Sequence, residues 1–487
     1  MPEKKQPHNW KFEHSYAASL PDYFFQCVRP AKSPAPELVL FNKDLAKALG
    51  LEWLSNKPGV IANQLSGKEL PENAHPIAQA YAGHQFGYFT MLGDGRAILM
   101  GEQITPGNKR FDIQLKGAGL TNYSRRGDGQ ATFYSMLREY LMSEAMHGLG
   151  IPTTRSLAVV KTGFSVYRET ESEGAVLTRV AASHIRTGTF EYVRQFGSTD
   201  DLQQLVNYTI QRHFPQIENH ENQSLALLGA VMEKQLDLIV DWLRVGFIHG
   251  VMNTDNMSIP GETIDYGPCA FMNKYNPGTV FSSIDRNGRY AFGQQANIGV
   301  WNTAVFTGTL LPLIHPDEKT AVQMAQEMLN TYEEKYKQRW YQMMFDKLGI
   351  LHPEEKDKEL ADDLIAMLTQ FQPDYTNFFV SLERGQEGDN AIYTSEHFRR
   401  WHTKWQSRIE INQSLQEAKQ RMREKNPVVI PRNHLVEGAL NEAINGNMST
   451  FHQLMDALRD PYSPQSAERF QTVPAGFDEQ YQTFCGT

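Results

Sequence analysis

The chain has 487 residues, more than one hydrophobic core ordinarily serves, so two lobes with an added helical region are expected in place of one compact domain. Hydrophobic residues make up 40% and charged residues 21%, a balance that excludes a disordered chain. A net charge of −9, from 47 Lys+Arg and 56 Asp+Glu, excludes bulk attraction to nucleic acid or to an anionic membrane.

In chain order, the opening MPEKKQPHNWKFEHSYAASL lacks the apolar core of a secretory signal and the Arg-rich, acid-poor face of a transit peptide. No apolar run is long enough to span a bilayer, so a cytoplasmic monomer without membrane or nucleic-acid partners is expected. Residues 1–75 read as a loop-rich N-terminal extension broken by Pro30, Pro34 and Pro36, with one short amphipathic helix near Asn42–Leu49 that stops at Gly50. His75–Gly87 is rich in aromatic and small residues, which points to packing. His84 is its one candidate for chemistry, and a lone His more often has a structural partner.

Residues 76–190 are expected to form a first lobe. Within it, YFTML and AILMGE flank Gly93-Asp94-Gly95-Arg96, which predicts strand, turn and strand, the glycines permitting positive φ and close backbone approach. Phe111–Lys116 alternates apolar and polar residues as a half-buried strand does, which puts Asp112, Gln114 and Lys116 on one face. A Lys ending such a strand after a glycine hairpin stands where kinases keep the Lys that holds phosphates. Gly117–Gly129, GAGLTNYSRRGDG, is a basic, glycine-rich loop whose amides, with Arg125 and Arg126, can engage an anion; a solvated loop is the alternative.

Ala131–His147 predicts a helix with Phe133, Met136, Leu137, Tyr140 and Leu141 on one stripe, ending at Gly148. Glu139 lies at the rim of that stripe, as the helix Glu that pairs with the strand Lys in kinases does, and Glu144 is the competing choice. Arg155–Glu169 predicts a hairpin turning at Lys161-Thr162-Gly163, and Ala175–Val180 a further strand. Arg179 and Arg186 flank a short loop and can clamp phosphate as rigid forks, although surface ion pairs are the commoner use of Arg. A long helix follows over Ser224–Val245, with Leu225, Leu228, Met232, Leu236, Ile239 and Leu243 along one stripe.

That helix leads into Ile248–Gly267, IHGVMNTDNMSIPGETIDYG, within a second lobe assigned to residues 191–315. Asp255-Asn256, and Asp265 in the turn Asp265-Tyr266-Gly267, supply oxygen ligands of the kind that hold Mg²⁺ beside phosphates. Kinases carry an Asp base in this loop, a metal-binding Asn a few residues on, and then an Asp-Phe-Gly turn. Here Asn256 keeps the metal spacing and Val251 stands in place of the base, which points to nucleotide binding with altered chemistry. Residues 316–487 read as a helical region, with helices over Asp317–Leu348, Glu359–Gln370, Ser395–Ile411 and Leu415–Lys425 and a turn-rich, mobile tail from Pro461. Cys27, Cys269 and Cys485 are too few and too scattered for a disulfide framework or a Cys-based zinc site. An inert buried thiol at Cys269 and a tail thiol at Cys485 is one reading, and a redox bridge between them over the site is the other.

Taken in order, Gly93-Asp94-Gly95-Arg96, QLKGAG around Lys116, TNYSRRGDG, LREYL around Glu139, HGVMNTDN and TIDYGP resemble the selenoprotein O family, a pseudokinase group with protein adenylyltransferase activity. The resemblance covers most of the chain. It implies an α+β, protein-kinase-like two-lobed fold with a helical C-terminal extension. It also implies ATP as donor, bound in reverse orientation relative to kinases, with AMP passed to Ser, Thr or Tyr hydroxyls of protein substrates and pyrophosphate released. By motif, Gly93, Gly95, Arg96, Lys116, Asp128, Gly129, Arg179 and Arg186 would line the nucleotide and Lys116 would pair with Glu139. Asn256 and Asp265 would hold Mg²⁺ or Mn²⁺, and Asp255 would be the proton acceptor. The reversal accounts for Val251, because the α-phosphate, in place of the γ-phosphate, then faces the acceptor. The selenocysteine that animal members carry near the C-terminus is absent, Cys485 standing at a similar late position, and any link to the family's redox homeostasis attaches to that tail. The alternatives are Mn-dependent uridylyl transfer, an ordinary kinase with Asp255 as a displaced base, and an ATP-binding scaffold without transfer.

Overall fold

An eight-stranded sheet carries most of the polar side chains that converge below. The computed structural model to which it belongs describes residues 9–463 and 468–484. The strands are β1 (Phe12–Glu13), β2 (Phe25–Cys27), β3 (Glu37–Phe41), β4 (Ile77–Gln79), β7 (Ala97–Ile104), β8 (Arg110–Lys116), β9 (Arg155–Tyr167) and β10 (Glu171–Ala181). Their order is β2-β4-β7-β8-β10-β9-β3, with β1 pairing β7, and every pairing is antiparallel. A separate hairpin joins β5 (Ala82–Gln85) to β6 (Tyr88–Met91). A further pair, β11 (Phe247–Ile248) with β12 (Ala270–Phe271), brackets the 249–269 segment.

Residues 9–75 do not stand apart as an extension. They supply β1, β2 and β3, and the helices Lys43–Ala48 and Pro58–Leu65 cover one sheet face, packing Leu45, Leu49, Ile61 and Leu65 on Ile113, Leu157 and Val180. The other face takes the helix Phe133–Gly148, whose Leu137 and Leu141 share a core with Val159 and Leu177. Thr132 caps that helix, its hydroxyl accepting the Ser135 N–H at 3.2 Å.

Three strand expectations are corrected. Gly93-Asp94-Gly95-Arg96 does not join two paired strands: β6 pairs back onto β5 through the turn Phe86-Gly87, with φ of 50° and 89°, and β7 belongs to the large sheet. Positive φ at both turn residues is what a tight two-residue hairpin requires, and Phe86 hides it from a composition-based reading. Lys161-Thr162-Gly163 is a bulge inside the continuous β9, opposite the break between Glu173 and Ala175, and the chain reverses at 168–170 instead. The polar face of β8 is not solvated, since Asp112, Gln114 and Lys116 are all buried against other charged groups.

The remainder is largely helical, making the chain a mixed α/β protein with a helical C-terminal region. The long helix runs Gln223–Val245, closed by Gly246 in the left-handed conformation. The expected Asp317–Leu348 helix is two helices, Glu318–Leu329 and Tyr332–Lys347, broken where the Thr331 hydroxyl bonds Met328 O at 2.7 Å. Lys358–Phe371, Glu396–Ile409 and Leu415–Lys425 fall close to expectation. Gln295–Ile314 was hidden from periodicity because its buried face includes Gln295, Asn302, Thr303 and Thr307. Asn433–Ile444 and Ser449–Arg459 pack against Phe133–Gly148, so the C-terminal helices share a core with the sheet's own helix. The tail is docked in its described part: Thr483 N–H bonds Phe281 O at 2.8 Å and its hydroxyl bonds Pro268 O at 2.7 Å. Among the described residues no helix is long and apolar enough to cross a membrane.

Candidate active site

Asp265 is the point on which the charged side chains converge. Its backbone is left-handed, with φ of 63°, a costly conformation for a non-glycine residue and one that turns the carboxylate back toward the sheet. Lys116 at the end of β8 donates to Asp265 Oδ1 at 2.6 Å and to Glu139 Oε2 at 2.6 Å. Arg179 on β10 reaches Asp265 Oδ1 at 2.7 Å and Glu139 Oε1 at 3.4 Å, while Gln114 Oε1 accepts from its Nε and Nη2 at 3.1 and 2.6 Å. Arg186, the residue before the helix Thr187–Phe196, donates to Asp265 Oδ2 at 3.1 Å and to Asp255 O at 2.9 Å. Its guanidinium lies 4.4 Å above the Tyr81 ring. Burial works against ionising Asp265, yet Lys116, Arg179 and Arg186 outweigh it and hold the carboxyl well below the usual range.

The loop carrying Asp255 and Asn256 is tied to the segment preceding Asp265 from behind. His249 is buried between Trp242 and Phe247, and its Nε2–H donates to Ile264 O at 3.1 Å. Asp255 is itself buried, at 8% exposure, with Oδ1 unpartnered among the described residues. Burial pushes its carboxyl up to about 7, with the nearby Arg186 opposing. Such a group is poised to take a proton near neutral pH. Asn256 spends its amide nitrogen on Val251 O at 3.0 Å, which leaves the amide oxygen as the atom able to meet a cation.

Lys116, Glu139, Arg179, Arg186, Asp255 and Asp265, read from sequence as site residues, therefore share one bonded network. The glycine turn lies beside it. Asp94 is buried, accepts from Gln79 N and Gln114 Nε2 at 3.1 Å each, and approaches Arg186 at 3.9 Å; burial pushes its carboxyl up to about 6, with Arg186 opposing. Gly93 has φ of 116° and lies under the Tyr123 ring, and a side chain at Gly95 would meet Tyr123 O at 2.7 Å, so the turn is glycine because the 121–124 loop lies on it. The Arg96 carbonyl accepts the Gly117 N–H at 2.6 Å, one residue beyond the β7–β8 ladder, and the Thr121 hydroxyl ties the loop to the turn by donating to Asp94 O at 2.7 Å.

Other candidates are engaged elsewhere. Asp128 takes both Arg168 Nη1 and Nη2, at 2.8 and 3.0 Å, and Gly129 packs on the Gly119 backbone. Glu144 pairs with Arg155 and Asn42, leaving Glu139 to Lys116. Arg125 and Arg126 are exposed. Cys269 is a buried free thiol, pushed up to about 11 by burial, and Cys485 lies outside the described residues. Glu191 and Thr254 carried no signal in the sequence, because they meet only in the fold, where Thr254 Oγ1 donates to Glu191 Oε2 at 2.5 Å.

Among the described residues no group of three or more His, Cys, Asp or Glu is arranged as a metal cage. Asp265 and Asn256 present only oxygen, the donor set of a hard divalent cation that completes its shell with substrate phosphates and water. The three cations gathered on one carboxylate are also of the kind that can hold an anion.

Comparison with known proteins bears on this geometry. The family model described as protein adenylyltransferase SelO matches residues 8–459. A relative from Bacillus cytotoxicus called protein nucleotidyltransferase YdiU is 53% identical, covering 99% of each chain. Relatives of the same name from Brevibacillus brevis and Geobacillus kaustophilus are each 52% identical, covering 98% of this chain and 98% and 99% of theirs. Likeness of this extent means that the chain belongs to the SelO family of protein adenylyltransferases and is a nucleotidyltransferase using a nucleotide donor.

Proposed function

We propose that the chain transfers AMP from ATP to Ser, Thr or Tyr hydroxyls of proteins, with pyrophosphate leaving. The observation that carries this reading is the junction at Arg186, which bonds both the Asp265 carboxylate and the Asp255 backbone and so sets a cationic cluster beside a buried acid. On this reading the frame is kinase-like and two-lobed: residues 76–190 hold the nucleotide and residues 191–315 carry the metal and acceptor side.

Lys116, Arg179 and Arg186 bind the triphosphate and neutralise charge as it develops, with Gly93, Gly95 and Arg96 lining the nucleotide and Asp128 and Gly129 shaping the adjoining loop. Glu139 keeps Lys116 in place. Asn256 and Asp265 hold Mg²⁺ or Mn²⁺, which when bound supplies charge stabilisation on the phosphates. The acceptor oxygen forms its bond to the α-phosphorus, the bond from that phosphorus to the pyrophosphate oxygen breaks, and the hydroxyl proton passes to the Asp255 carboxylate. Burial favours that step because it raises the proton affinity of Asp255.

ATP labelled at the α- or the γ-phosphate separates the cases, read by intact mass of the chain after incubation with each metal. Retention of the α-label with loss of the γ-label is expected. Retention of the γ-label alone would make the enzyme a kinase. Asp255→Asn should lower the transfer rate by about a hundredfold or more while ATP still raises the melting temperature.

A further inference from the structure

Outside the nucleotide-facing cluster, three residues close a ring around the base of the Asp255 loop, one of its links made by backbone. The His84 backbone N–H donates to Thr254 Oγ1 at 2.7 Å, and His84 Nδ1 bonds Glu191 Oε1. Thr254 Oγ1 donates in turn to Glu191 Oε2 at 2.5 Å. Each member comes from a different element: β5, the helix Thr187–Phe196, and the loop itself. Next to the ring, Phe86 N–H and the Tyr290 hydroxyl both bond Asn253 Oδ1, at 3.1 and 2.6 Å. Gly83 touches the acid directly, since a Cβ there would lie 2.5 Å from Asp255 Oδ1 and 2.9 Å from its Cβ.

Among the described residues Oδ1 of the Asp255 carboxylate has no hydrogen-bond partner to aim it, and the nearby Arg186 draws on its charge without fixing its direction. Its direction is therefore set by the backbone on either side and by the wall it leans on, and a reacting group held so loosely depends on its support. A buried Glu191, 4% exposed and bonded from two sides, is a costly way merely to fill space. It does give the loop a directional anchor one residue before Asp255.

We propose that His84 and Glu191 are positioning residues: through Thr254 they hold Asp255 against Gly83, at the angle from which its carboxylate meets the acceptor hydroxyl. The inference rests on the reading of Asp255 as proton acceptor. The His84 side chain keeps 26% of its surface open, so its removal trims the rim of the site and leaves the core intact.

Two measurements on the full-length chain test it. Hydrogen exchange at Asn256 and Met257, whose amides bond Asn253 O at 2.9 Å and Thr254 O at 3.3 Å, reports loop order without any activity. His84→Ala should exchange about tenfold faster there, and His84→Asn, whose amide restores the donor to Glu191, should return toward wild type. In self-modification with α-labelled ATP, His84→Ala should lower kcat by about tenfold to a hundredfold, with KM for ATP within about twofold. His84→Asn should recover most of that loss. Gly83→Ala, which pushes on Asp255 without touching the ring, should lower kcat alike. Wild-type exchange and kcat in His84→Ala, an equal loss in ATP affinity, or no rescue by His84→Asn would each overturn the proposal. Wild-type protein that moves no label would instead defeat the functional reading, and exchange alone would then decide the positioning.

Discussion

Asp265→Asn keeps the shape of the side chain and removes the charge on which Lys116, Arg179 and Arg186 all close, at 2.6, 2.7 and 3.1 Å. Lys116 and Arg179 would retain Glu139, while Arg186 would be left with the Asp255 carbonyl and an Asp94 carboxyl 3.9 Å away. Removing one member of a buried ionic set costs about 3–5 kcal/mol, because the remaining charges stay desolvated. An unfolding entropy of about 2.1 cal/mol/K per residue gives about 1 kcal/mol/K for a chain of this length, so the melting temperature should fall by about 3–5 °C. Calorimetry at low ionic strength measures it. Inorganic tripolyphosphate, added without metal, should then stabilise the variant more than the wild type, since the three cations no longer have a protein carboxylate to satisfy them. A variant that melts within about 1 °C of wild type, or a polyphosphate shift equal in both proteins, would refute the charge accounting.

Further outcomes follow from the same contacts. Lys116→Met should weaken ATP binding by about tenfold or more, read by calorimetric titration, because one of the three cations that the proposed function assigns to the phosphates is lost. Arg138→Met should cost about 2–4 kcal/mol in urea unfolding, since Arg138 is buried and ties Glu437 at 3.0 Å to Cys269 O at 2.7 Å. His184 is buried 3.0 Å from Asp112, and burial lowers its pKa from the ordinary 6.5 to about 4. The unfolded chain therefore takes up this proton more readily, so stability is full above pH 6.5 and falls as pH drops toward 4, by about 3 kcal/mol in total. Melting temperature against pH should show that fall in wild type and a shallower one in His184→Asn.

Much of the site was legible because short-range periodicity reports which way a side chain points. Alternation in Phe111–Lys116 put Lys116 on the polar face, and the wheel of Phe133–Gly148 put Glu139 beside Met136; both meet at 2.6 Å. Two helix starts were legible too, since the ranges read from Asn42 and from Ser395 begin on the residues that cap Lys43–Ala48 and Glu396–Ile409. The hairpin of β5 and β6 was not, because its left-handed turn residue is Phe86 instead of Asn or Asp. Nor was the break at Asn330-Thr331, where helix-compatible residues sit on both sides of a hydroxyl that bonds the preceding turn.

By itself the amino-acid sequence determined part of the inventory of this protein: the strand ending at Lys116, the helices around Glu139 and before the 248–267 loop, and the family to which the motifs belong. Tertiary structure alone decided the partnerships. Lys116, Arg179, Arg186 and Asp265 lie in separate elements, and only the antiparallel register that sets Arg179 opposite Gln114, with the left-handed backbone at Asp265, brings their charges within 3.1 Å of one carboxylate. Local pattern cannot encode that convergence, because the energy that selects it comes from burying several charges together, and each is tolerable in the interior only when the others are already there.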